Sequence, residues 1–133
     1  MKIAVVISRV ILGLGFTVAG LNTFHPFLPQ PLFTDGTLSE AFMNIMISSR
    51  WLTLVALFQL FGGLLVLIGR TMPLGLTLLA PVLVNILAFH IFLEQGHGLI
   101  PGLVLSALEL FLIYSYRNYF KAIFTLNAKP NSK

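Results

Sequence analysis

Four apolar runs, each about as long as a lipid bilayer is thick, decide most of what this chain can become. They cover residues 3–24, 51–69, 73–93 and 99–116. At 1.5 Å of helical rise per residue they reach roughly 27 to 33 Å, close to a hydrocarbon core of about 30 Å. Lipid offers the backbone no hydrogen-bond partner, so such runs must satisfy themselves as helices. The connections near Arg70–Met72 and at "EQGHG" (94–98) are short, which forces neighbouring runs antiparallel. The expected fold is all-α: an integral membrane antiparallel four-helix bundle in a single domain, residues 1–133.

Composition agrees with that solvent. Of 133 residues, 57% are hydrophobic and only 9% charged, and the mean hydropathy is +0.95. A soluble chain this short keeps too much of its surface in water to hide so much apolar area. There is no cysteine, which removes disulfides, thiolate metal sites and iron–sulfur ligation. The net charge of +4 is spread over the ends of the runs and forms no single patch, which argues against nucleic acid as a partner.

The same charges set a direction. Lys2, Arg70, Arg117, Lys121, Lys129 and Lys133 fall at one end, whereas Arg50 sits at the other beside Asp35, Glu40 and Glu94. Lys and Arg gather on the cytoplasmic side, so a multi-pass protein of the cell inner (plasma) membrane with both termini cytoplasmic is expected, its tail being 117–133. Tyr114, Tyr116 and Tyr119 then mark one interface and Trp51 the other. A rival reading of the first run as a signal peptide, with Thr17 and Ala19 before a cleavage point, is weakened by Arg9, which interrupts the apolar stretch.

The outer connection, 25–50, begins with Pro26, Pro29 and Pro31, which hold it extended. Thr37 and Glu40 then have capping-box spacing, and Leu38, Ala41, Phe42, Ile45 and Met46 recur at helical intervals. A short amphipathic helix over 38–48 is predicted, serving as a membrane-surface brace or as a lid over the bundle mouth.

Polar residues within the runs carry the functional reading. Arg9 and Glu109 both lie roughly 10 Å from the cytoplasmic ends of their runs. Equal depth and opposite charge predict an ion pair or shared hydrogen-bond network, acting as glue between first and last helices or as a proton- or headgroup-handling site. Arg9, Gly13, Phe16 and Gly20 form one stripe. Ala56, Gln59, Gly63 and Val66 form a second, and Gly102, Ser106, Glu109 and Ile113 a third. Small residues admit close helix approach, so these faces should meet. Pro81 predicts a kink, with Asn85 one turn beyond it. Gly13, Gln59, Gly63, Asn85 and Ser106 are the candidate lining of a polar cavity; packing contacts are the plainer alternative.

The frame "FHPFL" at 24–28 returns as "FHIFL" at 89–93. Asn22, His25, His90 and Glu94 are therefore candidates at the outer side. Unequal depth along their helices argues against haem held between His25 and His90, and no metal site or catalytic residue is predicted. His90 and Glu94, four apart, suit a local interfacial pair, with His97 in the turn. A duplicated hairpin is an alternative source of the repeated frame, making Gln59 and Glu109 counterparts through "FQLF" (58–61) and "LELF" (108–111).

With "SRVILGLGFTVAGLNTF" in the first run, "FGGLLVLIGR" closing the second, "PLGLTLLAPVLVNILAFH" as the third and "YRNYFKAIF" after the fourth, the chain resembles the DoxX-like family of small four-span bacterial membrane proteins over nearly its whole length. The resemblance implies a membrane four-helix bundle. The family's namesake is a small subunit of a thiosulfate:quinone oxidoreductase, other members associate with redox enzymes, and most have no assigned activity. Members often carry an acid where this chain has Gln59, which leaves Glu109 as the intramembrane acid.

Three functions follow as expectations. One is an accessory or assembly subunit for a membrane redox partner near the quinone pool. Another is a binder or carrier of a small lipophilic molecule, quinone or lipid, with no covalently bound cofactor. The least supported is a self-contained enzyme. The lipid bilayer is the expected surrounding partner, and a homo-oligomer remains open.

Overall fold

The computed structural model describes residues 1–126 and 129–130. Helix α1 is Lys2–Phe24, α2 Leu38–Ser48, α3 Trp51–Ile68, α4 Met72–Ala88, α5 Leu99–Ser115 and α6 Arg117–Phe120. A π-helical turn, Phe89–Leu93, continues α4, and a 3-10 turn, Lys121–Phe124, follows α6. Helices Lys2–Phe24, Trp51–Ile68 and Met72–Leu93 are each long and apolar enough to cross a membrane, and Leu99–Ser115 joins them if counted with the tail that bends away from it by 80°. The chain is thus all-helical among the described residues, with apolar helices compatible with a multi-pass membrane protein.

The four long helices close a ring: α1 packs on α3, α3 on α4, α4 on α5, and α5 back on α1. Glycine sets how closely they approach. A Cβ built on Gly63 would lie 2.7 Å from Thr17 N and 2.8 Å from Gly13 O, and one on Gly20 would lie 2.9 Å from Ala56 O. Helices α1 and α3 therefore touch backbone to backbone. One position earlier, Gly62 turns to the other side: a Cβ on Gly75 of α4 would lie 3.0 Å from Gly62 O. The Gly62–Gly63 doublet thus lets α3 accept a neighbour on each flank at near-minimal separation. On α5, by contrast, Gly102 faces the side chains of Ile86 and Leu87, with a built Cβ 3.2 Å from the nearer. The two hairpins pack differently, which counts against a close structural repeat.

Between the helices lies a core of Leu12, Phe16, Val66, Met72, Leu76, Leu79, Val82, Leu83 and Leu112. The outward faces are also apolar, with Ile7, Ile11, Leu14, Phe61, Leu64, Val84, Val104 and Leu110 all exposed. In water such faces would be a large unsatisfied apolar surface. The ends of the bundle differ. At the basic end, where α1 and α4 begin and α3 and α5 finish, lie Lys2, Arg9, Arg70, Arg117 and Lys121. At the loop end lie the connection 25–50 and the α4–α5 turn.

Helix α2 starts as its cap residues dictate. Glu40 N–H donates to Thr37 Oγ1 at 3.3 Å, but the Glu40 carboxylate reaches back to Gly36 N–H (2.7 Å), one residue beyond the reciprocal capping-box position. Thr37 N–H is already committed to Thr34 O at 3.3 Å, which frees Glu40 for Gly36. Phe89, at the start of the π-turn, is held edge-on by Phe33 (5.9 Å) and tilted against Phe42 (5.8 Å). Those contacts fasten the first connection onto α4.

Candidate functional site

The repeated pentapeptide takes two unrelated conformations. At 24–28, Pro26 ends the helix: His25 is extended (φ −139°, ψ 92°) and exposed. Asn22 Oδ1 accepts from Phe27 N–H (2.9 Å) and Leu28 N–H (2.8 Å), so Asn22 folds the chain back after α1. At 89–93, with Ile91 in place of proline, the helix continues but widens into the π-turn. Single π-turns carry a local cost and often sit at functional positions.

The π-turn feeds a turn bonded onto itself. His90 Nδ1 lies 2.6 Å from Glu94 Oε2 and 2.9 Å from His97 O. Both partners are acceptors, so Nδ1 carries the proton and leaves Nε2 as the free nitrogen. His97 Nδ1 lies 2.8 Å from the Glu94 carbonyl and by the same reasoning donates to it. Gly96 N–H closes on His90 O at 2.7 Å. Gly98, at φ 70°, lies so near the imidazole that a Cβ there would be 3.0 Å from His90 Cε1. His90–Glu94 is the one contact between a basic side chain and a carboxylate within 4 Å among the described residues.

Beside this turn is a pocket of about 540 Å³. One wall comes from the first connection and the start of α2 (Leu32, Phe33, Thr34, Thr37, Leu38, Ser39), the other from Phe92, Leu93, Glu94, Gln95 and His97. Its volume is that of a small-molecule site, and it combines apolar walls with a few converging polar groups. Leu32, Leu38 and Phe92 stand exposed at its margin. The sequence marked Glu94 and His90 in this region but not the opposite wall, whose residues Thr34, Thr37 and Ser39 look like ordinary cap and turn chemistry when read alone.

The residues expected to line a mid-bundle cavity are dispersed. Gly13 and Gly63 form the α1–α3 seam, where Thr17 fills the space beside Gly63. Ser106 Oγ–H bonds back to Gly102 O at 2.8 Å on its own helix. Asn85 faces outward, donating to Pro81 O at 2.8 Å, in a lateral groove of about 170 Å³ with Leu54, Val55, Phe58, Pro81 and Val82. Gln59 is half-buried and does not line that groove. The physical reason is volume: backbone-level helix contact and the aliphatic core occupy the interior these residues would have shared.

The expected Arg9–Glu109 pair also needs correcting. Glu109 is 4% exposed, and its Oε1 and Arg9 Nε are both buried without a hydrogen-bond partner. The Arg9 guanidinium instead lies against Gly69, the left-handed residue (φ 80°) that caps α3. The tight α1–α3 seam carries Arg9 to the end of α3, where the helix dipole favours a cation. Among the described residues no group of three His, Cys, Asp or Glu is gathered as for a metal ion. No family model, curated protein or solved structure matches the chain.

Proposed function

We propose that this chain is a small multi-pass protein of the inner membrane, both termini cytoplasmic, that binds a small amphiphilic molecule at its loop end. The observation that carries the reading is the pocket of about 540 Å³ between the first connection and the α4–α5 turn. It is polar where the turn supplies Glu94 and His97, and apolar where Leu32, Leu38 and Phe92 stand exposed at its margin. Quinones and lipids both have that division into head and tail. The bound molecule sits at the mouth of the bundle and not at its centre, because the centre is filled. On this reading α2 and the connection before it form one wall of the site as well as a surface brace.

A second reading has its own support. The resemblance to DoxX-like proteins favours an accessory subunit for a quinone-linked redox partner. Asn85 is a polar group on an otherwise apolar flank, and such groups in lipid are usually covered by another helix. That helix belongs to the redox partner or to a second copy of the chain.

Native mass spectrometry of the detergent-solubilised chain tests both. The binding reading expects a retained small molecule that is lost when Thr34→Trp fills the pocket. Protein subunits co-purifying with a chain whose pocket is empty would overturn it in favour of the accessory role.

A further inference from the structure

The hydrogen-bond inventory of the pocket is lopsided. On the turn side, Glu94 Oε2 is engaged by His90, and Oε1 makes no hydrogen bond among the described residues. His97 spends its Nδ1 proton on the Glu94 carbonyl, so in its neutral form the ring offers the lone pair of Nε2. On the opposite wall, Thr37 Oγ1–H is given to Thr34 O at 2.6 Å. The 3.1 Å contact between Thr37 Oγ1 and Ser39 Oγ is therefore made with the Ser39 proton. Ser39, too, is left with lone pairs. Donors remain on Thr34 and Gln95, and no Lys or Arg lines the pocket. The loop end as a whole carries Asp35, Glu40 and Glu94 against the single guanidinium of Arg50.

An occupant must supply what the walls lack. A carboxylate or phosphate head would set acceptor against acceptor and negative charge against the Glu94 carboxylate. A head with several protons to give, and a positive charge, would complement the acceptors these walls present, the Glu94 carboxylate first among them. We propose that the loop-end pocket selects an amphiphile with a protonated primary amine as its head and an aliphatic tail along Leu32, Leu38 and Phe92, an inference that rests on the binding function above. His90 is a positioning residue here: it holds Glu94 Oε2, so that the other carboxylate oxygen stays available.

The test uses the full chain in nanodiscs of zwitterionic phosphatidylcholine and three probes of one tail length: dodecylammonium, dodecanol and dodecanoate. Saturable binding at neutral pH is expected to favour dodecylammonium over dodecanoate by about tenfold or more, the scale of one charge-assisted hydrogen bond. Glu94→Gln should remove most of that preference. Thr34→Lys, on the opposite wall and clear of the bonded turn, should reverse it even if the first variant disturbs the turn. Dodecanoate binding as tightly as dodecylammonium would overturn the head-group assignment while leaving a binding protein. A preference for the amine that survives both variants would overturn it as well, since the bilayer and not the pocket would then be its source. Absence of saturable binding by all three probes would remove the binding function with it.

Discussion

The two ends of the bundle handle polarity in opposite ways. At the loop end each buried or half-buried polar group is tied to a neighbour in sequence: His90 to Glu94 and His97, Thr37 to Thr34 and Ser39, Asn22 to the amides that follow α1. Toward the basic end Arg9 Nε and Glu109 Oε1 have no such partner, and Thr17 Oγ1 in the α1–α3 seam shares their state. The difference is one of backbone. Irregular chain can bend a donor toward an acceptor and leave a cavity behind. Helices locked glycine to glycine have no such freedom, so side chains between them either fit or remain unsatisfied. Rigidity is concentrated where polarity is costly, and adaptable chemistry where there is room for a ligand.

Breaking the rigid side should give the largest effect. Gly63→Val places a branched carbon where Thr17 N and Gly13 O already stand within 3 Å of a bare Cβ. Neither atom can retreat without moving a helix, so a loss of about 3 kcal/mol or more is expected. The unfolding midpoint of the detergent-solubilised chain would read it. Retention of the parental midpoint would mean that the α1–α3 backbone contact does not organise the bundle. Glu109→Leu should act in the opposite direction and more weakly. It removes a buried, unsatisfied oxygen and replaces it with hydrocarbon, for a gain of about 1 to 3 kcal/mol. A loss of similar size would mean that Glu109 pairs with Arg9 after all, because removing one partner of a buried pair leaves the other stranded.

These contrasts also mark what the sequence could convey. With the π-turn counted as the end of α4, the long helices end within one residue of the apolar runs, because a run of hydrocarbon side chains has no other economical conformation. The start of α2 was legible from Thr37, whose hydroxyl has a nearby amide to serve. Which way each helix turns was not. Helices α3 and α4 are apolar around nearly their whole circumference, so periodicity does not separate the face of Asn85 from that of Leu83, which is the one that fills the interior. Depth placed Arg9 beside Glu109, but depth says nothing of rotation, and the seam glycines decide where Arg9 points. The pocket was beyond reach for another reason. Its walls lie more than fifty residues apart in the chain, and the π-turn that aims one of them has no signature in "FHIFL" that separates it from ordinary helix.

The smallest effect should come from loosening the adaptable end. Phe42 ties α2 to the π-turn through its contact with Phe89, the ring that Phe33 also meets, while α2 also packs on α3. An aromatic pair of this kind contributes about 0.5 to 1.5 kcal/mol beyond its buried area. Phe42→Ala should therefore move the global unfolding midpoint little, because α2 is no part of the ring of four helices. Its consequence is local: amides of α2 are expected to exchange hydrogen faster, as a weakly fastened element opens without the rest, while those of α1 and α3 keep their protection. Ligand retention should fall in step with α2 exchange, since Thr37, Leu38 and Ser39 form one wall of the pocket. Faster exchange spread evenly over all four long helices would show instead that the loop end is integral to the core, and the division between a rigid bundle and an adaptable mouth would not hold.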